Sequence, residues 1–354
     1  MSPFFRRVGP VLLAATIVAG GLTVVLNQHS GPRITAGAML VSTVNADNSG
    51  LRPERIPLER TPSSTSIPNP TATPTAMSAM PAPPSRPTLP MDHRVPARTI
   101  PLPAIEAQEV ALLNLDTGRY IWTSNANHPW APASLAKIFT AMVSTDLLRL
   151  DTQVTVPASI KMLPWDSTVM GLTPGERLSV RELLEGVFLR SGNDAAEALA
   201  TAVTARETFV ADMNAKALLL GLHNTHFVNP TGLDGAGYTT TAYDLSVAAT
   251  YLAYHYPALT TISALPALTI PATATHKAYT MTNIDKLMQL YPGVYGLKTG
   301  WTELAGGCLI TTASRGGHRL LAVVFGSPAV YHEMSLVLDY GFEVLGVTPP
   351  PHTS

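Results

Sequence analysis

The chain has 354 residues, 46% of them hydrophobic, and its 23 Lys and Arg against 24 Asp and Glu leave a net charge of −1. So balanced a charge offers no field for a polyanion, which excludes nucleic acid as an expected partner. The single cysteine, Cys308, excludes an intramolecular disulfide and a thiolate metal cluster, and its place in the apolar run Cys308-Leu309-Ile310 predicts a buried core thiol.

At the start of the chain Arg6 and Arg7 precede an uncharged, largely apolar stretch over 8–26, which reads as an export signal. Its length is near the minimum for crossing a bilayer. Ala36-Gly37-Ala38 is a candidate cleavage site, but its distance from the apolar stretch favours a retained anchor, with everything after Leu26 facing outward. From about Leu51 to Pro103 the residues Pro, Ser, Thr and Ala dominate, with almost nothing to bury, so this stretch is expected to be an extended tether. The expected organisation is a signal or membrane anchor over 1–30, a tether over 31–104, a catalytic domain over 105–346 and a short tail over 347–354.

Within 105–346 the runs 110–115 and 119–123, separated by Asp116-Thr117-Gly118, predict a β-hairpin. Apolar spacing predicts helices over 134–148, 180–189, 194–203, 209–220 and 242–254, the last opened by Thr241 and Asp244 as a capping box. Strands are expected over 293–299, 307–312 and 320–325, and a closing helix over 331–345. Two strands, a helical block and three more strands give an α+β fold, an antiparallel five-stranded sheet packed against helices.

Three short patterns carry candidate chemistry. In Ser134-Leu135-Ala136-Lys137 the serine and lysine share a helix face, and a serine hydroxyl needs a nearby base before it can act as a nucleophile at neutral pH. Lys137 can be that base only if burial or a second cation lowers its pKa. Ser191-Gly192-Asn193 falls between two predicted helices, where a tight loop presents two polar side chains. Lys298-Thr299-Gly300 ends a predicted strand, where a lysine can assist proton transfer and draw a carboxylate, Thr299 can bind that carboxylate, and Gly300 admits a close peptide backbone. His223 and His226 have no glutamate between them and lie near a predicted turn, so surface or capping roles are expected rather than zinc ligation.

Each pattern is weak alone, but in this order they form the Ser-x-x-Lys, Ser-x-Asn and Lys-Thr-Gly set of the penicillin-binding enzymes. The chain resembles the low-molecular-mass penicillin-binding proteins, the D-alanyl-D-alanine carboxypeptidase family of serine peptidases. The likeness extends to Asp194-Ala195-Ala196, Met213-Asn214, Asn229-Pro230-Thr231-Gly232-Leu233, Trp301-Thr302 and Ala305-Gly306. It implies a β-lactamase/transpeptidase-like fold in the cell envelope, with peptidoglycan stem peptides as substrates, β-lactams as covalent inhibitors, and no cofactor or metal. It also implies Ser134 as nucleophile, Lys137 as base, Ser191 and Lys298 as a proton route to the leaving D-alanine, and Asn193 positioning substrate and Lys137. Thr299, Gly300 and Trp301 would bind substrate, with the N–H groups of Ser134 and Trp301 as oxyanion hole.

Two departures bear on specificity. Where many members carry a carboxylate-binding arginine, this chain reads Val330-Tyr331-His332-Glu333. That leaves endopeptidase action on cross-linked peptides as an alternative to carboxypeptidase action. The chain also ends soon after Phe342, so the β-rich domain and C-terminal anchor of some relatives are expected to be absent. A class A β-lactamase is disfavoured, because the only glutamates between Asn193 and Lys298 are Glu197 and Glu207, too close behind the second motif. A non-catalytic β-lactam or cell-wall peptide sensor is the remaining rival.

Overall fold

The computed structural model describes residues 100–351. The expectations for the N-terminal anchor and most of the tether lie outside them. Among the described residues no helix is long and apolar enough to cross a membrane.

The chain enters a hairpin, β1 (Glu109–Asn114) and β2 (Arg119–Ser124), reaches a 3-10 turn at Ala133–Ala136, and continues without a break into α1 (Lys137–Leu147). A short β3 (Gln153–Thr155) pairs with β4 (Arg177–Ser179), and α2 (Val180–Leu189), α3 (Asn193–Ala200), α4 (Arg206–Leu219), α5 (Ala242–His255) and α6 (Pro257–Ser263) complete the helical block. A second two-stranded ribbon, β5 (Ala267–Ile270) with β6 (Tyr279–Thr282), and α7 (Leu287–Leu290) lead to β7 (Val294–Thr302), β8 (Gly306–Arg315), β9 (His318–Ser327) and α8 (Val330–Val344).

The main sheet is antiparallel in the order β2-β1-β9-β8-β7, the expected five-stranded α+β arrangement. Both of its faces are covered, which is why its central strands read as unbroken apolar runs rather than as alternation. Along β1, Ala111 and Leu113 join a cluster with Phe139 of α1, Leu183 of α2 and Leu245 of α5. Val110 and Leu112, pointing the other way, join Met334, Val337 and Leu338 of α8. The sheet is open, which leaves β7 as an edge strand at one end of the order.

The sequence missed the two ribbons and the short α6 and α7, because three to seven residues are too few to show a period. The expected capping box at α5 is half formed. Thr241 accepts the Asp244 N–H, but the Asp244 carboxylate turns to Asn224 N–H and the Thr225 hydroxyl instead of returning to the cap. The closed capping box is at α2, where Ser179 and Glu182 satisfy each other's backbone. The helix expected over 194–203 stops at Ala200, where the Thr201 hydroxyl bonds back to the Glu197 carbonyl.

Candidate active site

Ser134 sits in the 3-10 turn one residue after Ala133, a non-glycine residue at φ 47°, and Lys137 opens α1 one turn later. Their spacing brings Lys137 Nζ to 2.8 Å from Ser134 Oγ. Lys137 is fully buried, and its other hydrogen bond goes to the Thr231 carbonyl, so no carboxylate touches it. Burial, reinforced by the nearby Lys298 charge, holds the amine well below the usual lysine range, with Asp194 and Glu197 opposing the shift from a distance. A neutral amine with a free lone pair can take the serine proton.

The second lysine comes from β7. Lys298 is buried, its Nζ donates to the Ser191 hydroxyl at 2.9 Å and to the Thr299 carbonyl at 2.7 Å, and burial lowers its pKa to about 7. The Asp285 carboxyl acts against that shift. Asp285 is itself buried and displaced upward to about 6, with Oδ1 accepting the Leu287 N–H and Oδ2 unpartnered. Ser191 is a second non-glycine residue with a left-handed backbone, φ 53°, a conformation that persists only where surrounding structure enforces it. Here the Thr168 hydroxyl holds the Ser191 carbonyl, and the Asn193 N–H bonds to the Thr168 carbonyl.

These groups meet in a cavity of about 730 Å³, walled by Ser134, Ser191 and Asn193 on the helical side and by Thr299, Gly300 and Trp301 on the strand side. The sequence motifs, far apart in the chain, are therefore brought together as one site. Close approach explains two glycines. A Cβ on Gly300 would fall 3.2 Å from the Ser134 nitrogen and 3.1 Å from the Ala133 Cβ, and one on Gly232, at φ +85°, would fall 1.8 Å from the Ala133 carbonyl oxygen. Asn193 departs from its expected contact. The acceptor beside Lys137 is the Thr231 carbonyl, and Asn193 Oδ1 is buried with no partner. Cys308 is buried as expected, its thiol pushed up to about 12 by desolvation.

Two contributors carried no recognisable single-residue signal. The Asp194 carboxylate accepts the N–H groups of Met170, Gly171, Leu172 and Ala195, pinning the segment that forms the outer wall of the cavity. The Asn229 side chain organises the turn that delivers the Thr231 carbonyl, accepting from Thr231 and Gly232 and donating to the Leu233 carbonyl. Both lie inside runs that carried the family likeness, although neither had an assigned role.

The model of the peptidase family described as D-alanyl-D-alanine carboxypeptidase matches residues 96–329. The chain belongs to that family. It is 35% identical over 246 residues to the carboxypeptidase DacF of Bacillus subtilis, a match covering 68% of this chain and 63% of that relative. It is also 35% identical over 255 residues to DacB2 of Mycobacterium tuberculosis, covering 70% of this chain and 86% of the relative. Among solved structures, a D-alanyl-D-alanine carboxypeptidase from Mycobacterium tuberculosis is similar at 33% identity and a TM-score of 0.65, covering 73% of this chain and 98% of that one. A Streptomyces DD-transpeptidase is similar at 31% identity and the same TM-score, over 69% of this chain and the whole of its own. The penicillin-binding D,D-peptidase fold is thus common to the family members compared and to this chain.

Proposed function

We propose that the protein is a serine-type D-alanyl-D-alanine carboxypeptidase that removes the terminal D-alanine of peptidoglycan stem peptides through an acyl-enzyme on Ser134. The observation that carries this reading is the contact of Ser134 Oγ with a buried lysine that no carboxylate neutralises. Lys137 takes the hydroxyl proton as Oγ attacks the carbonyl of the penultimate D-alanine. The backbone N–H groups of Ser134 and Trp301 receive the oxyanion, a role supported by the close approach of Gly300 to the Ser134 amide. Lys298 and Ser191 pass the proton taken by Lys137 on to the departing amine, which leaves as D-alanine and returns Lys137 to its neutral form. Water then attacks the ester, with Lys137 again as base, and frees Ser134. Thr299, which lines the cavity, holds the terminal carboxylate with the buried Lys298 behind it, and Asn193 Oδ1, unpartnered beside the cavity, accepts from the substrate backbone.

A β-lactamase is not favoured. Glu197, the first glutamate after the second motif, accepts from Nε and Nη2 of Arg206 at 2.8 Å, which leaves it no role in activating water. One observation favours a second reading, endopeptidase action on cross-linked peptides. No Lys or Arg lines the catalytic cavity, nor the groove of about 690 Å³ that shares Trp301, Gly307, Val330 and Tyr331 with it. Glu333, in the stretch where an arginine was sought, is buried and bonded to Ser327 and to the Glu106 N–H.

The organisation that fits this activity is an N-terminal export signal or anchor over 1–30, a tether over 31–104 and the catalytic domain over 105–346 on the outer face of the membrane. β-Lactams, which mimic the D-Ala-D-Ala bond, would acylate the same serine. Release of D-alanine from a pentapeptide, measured against cleavage of a cross-linked dimer, tests the reading. Release from the pentapeptide is expected, and cleavage of the dimer alone would replace carboxypeptidase with endopeptidase.

A further inference from the structure

Asp285 is a buried acid that the proposed chemistry leaves unused. It lies on the segment between β6 and α7, only 4% exposed. Its Oδ1 accepts the Leu287 N–H at 3.0 Å, while Oδ2 is buried with no partner. An unpaired carboxylate oxygen in the interior is costly, and the local turn does not call for one. Asparagine would offer Leu287 the same acceptor, so what a carboxylate adds at this position is charge.

The segment fixes that charge beside the site. The Ile284 N–H bonds at 3.0 Å to the carbonyl of Leu189, two residues before Ser191, and the Tyr331 hydroxyl bonds at 3.2 Å to the Ile284 carbonyl. Asn283 Nδ2 ties the same segment to the Ser263 and Leu265 carbonyls, and Ile284 itself lines the catalytic cavity. Lys298 is the cation that favours the Asp285 carboxylate against burial, and Asp285 is the acid that favours the Lys298 ammonium against burial. The neighbouring groups act elsewhere. Asp194 and Glu197 of α3 oppose the burial-driven shift at Lys137 of α1, and Lys286 is exposed. Tyr331 of α8 is pushed up by burial and then by the Asp285 charge. No hydrogen bond joins Asp285 to Lys298, whose Nζ is spent on Ser191 and on the Thr299 carbonyl. The carboxylate therefore acts through space, across an interior that screens charge poorly.

We propose that Asp285 is a positioning residue for the reaction, the counter-charge that keeps an ammonium on Lys298 between Ser191 and the Thr299 carbonyl. The proposal rests on the role given above to Lys298 and Ser191 in proton transfer. One proton moves along that route. Ser191 gives its hydroxyl proton to the departing nitrogen and takes one from the Lys298 ammonium, which is refilled by the proton that Lys137 took from Ser134. Without the Asp285 charge the ammonium is lost at lower pH and the route empties.

The test uses the full chain with isotope-labelled lysine. The Lys298 Cε resonance, assigned by its absence in Lys298→Met, is followed by NMR as pH is varied. In Asp285→Asn, which keeps an acceptor for Leu287, the Lys298 midpoint is expected to fall by about one pH unit. Acylation of Ser134 by a labelled penicillin, measured over the same range, is expected to keep the acid limb set by Lys137. Its alkaline limb should move down by about one pH unit, leaving the rate above it roughly tenfold lower. An unmoved Lys298 midpoint, or a rate lowered in proportion at every pH with no displaced limb, overturns the proposal. If Asp285→Asn does not fold, Lys298→Met carries the reciprocal measurement on isotope-labelled aspartate. The Asp285 carboxyl is then expected to titrate about one pH unit higher than in the wild type, and an equal midpoint overturns the proposal. A displaced Lys298 midpoint and limb, with no D-alanine released from a pentapeptide by the wild type, would leave Asp285 its role and overturn the carboxypeptidase reading instead.

Discussion

Lys137 and Lys216 are both buried lysines on helices, and their surroundings differ in one respect. Lys216, on α4, donates to Asp146 at 2.8 Å and to the Tyr256 hydroxyl at 2.6 Å, and lies over the rings of Tyr251 and Tyr256. Its charge is matched on every side. Lys137 meets only a hydroxyl and a peptide carbonyl, and the nearest strong charge is another lysine. The first environment pairs the lysine with a carboxylate and so ties α4 to α1. The second, through burial and the nearby Lys298 charge, disfavours the ammonium. What separates a structural lysine from a candidate base is therefore the missing carboxylate, not the depth of burial.

The comparison is broken most directly by truncating each lysine. Lys137→Ala is expected to lower kcat/KM about a thousandfold, the range for loss of a general base, while circular dichroism shows a folded protein. Asp194→Ala probes the wall that keeps this site in shape. It strips the acceptor from the N–H groups of Met170, Gly171 and Leu172, and is expected to destabilise the fold by about 3 kcal/mol in urea titration and to raise KM. Lys216→Met should act on the other side of the comparison. Because Asp146 retains 32% side-chain exposure and can rehydrate, a loss of about 1–2 kcal/mol is expected, with kcat of the folded fraction preserved. The smallest effect is a pH dependence. Lys298 has a folded pKa of about 7 against an ordinary 10.5, so between those values the unfolded chain binds more protons and stability rises with pH. Lys298→Met should therefore gain Tm over the wild type below about pH 7, with the gain shrinking toward pH 10.5.

Much of this was legible in the chain. The five main strands and α1, α2, α4, α5 and α8 follow from periods long enough to read, and the order of Ser134, Ser191 and Lys298 pointed to one site. The sequence could not show which environment each lysine would meet. Beyond the serine three residues before it, nothing local to Lys137 sets its burial apart from that of Lys216, because the partners that decide the difference, Thr231 and Asp146, are separated from them by 94 and 70 residues. The contact expected between Asn193 and Lys137 is replaced for the same reason, since the Thr231 carbonyl reaches Lys137 from a turn whose geometry depends on Asn229.

The central claim is that Ser134 is a nucleophile activated by an uncompensated lysine. Its most direct test is to incubate the full chain with a labelled penicillin and to locate the adduct by peptide mapping and mass spectrometry. One adduct on Ser134, absent in Ser134→Ala and formed far more slowly in Lys137→Ala, is the expected result. A folded protein that forms no adduct, or forms it at any other residue, would contradict the account.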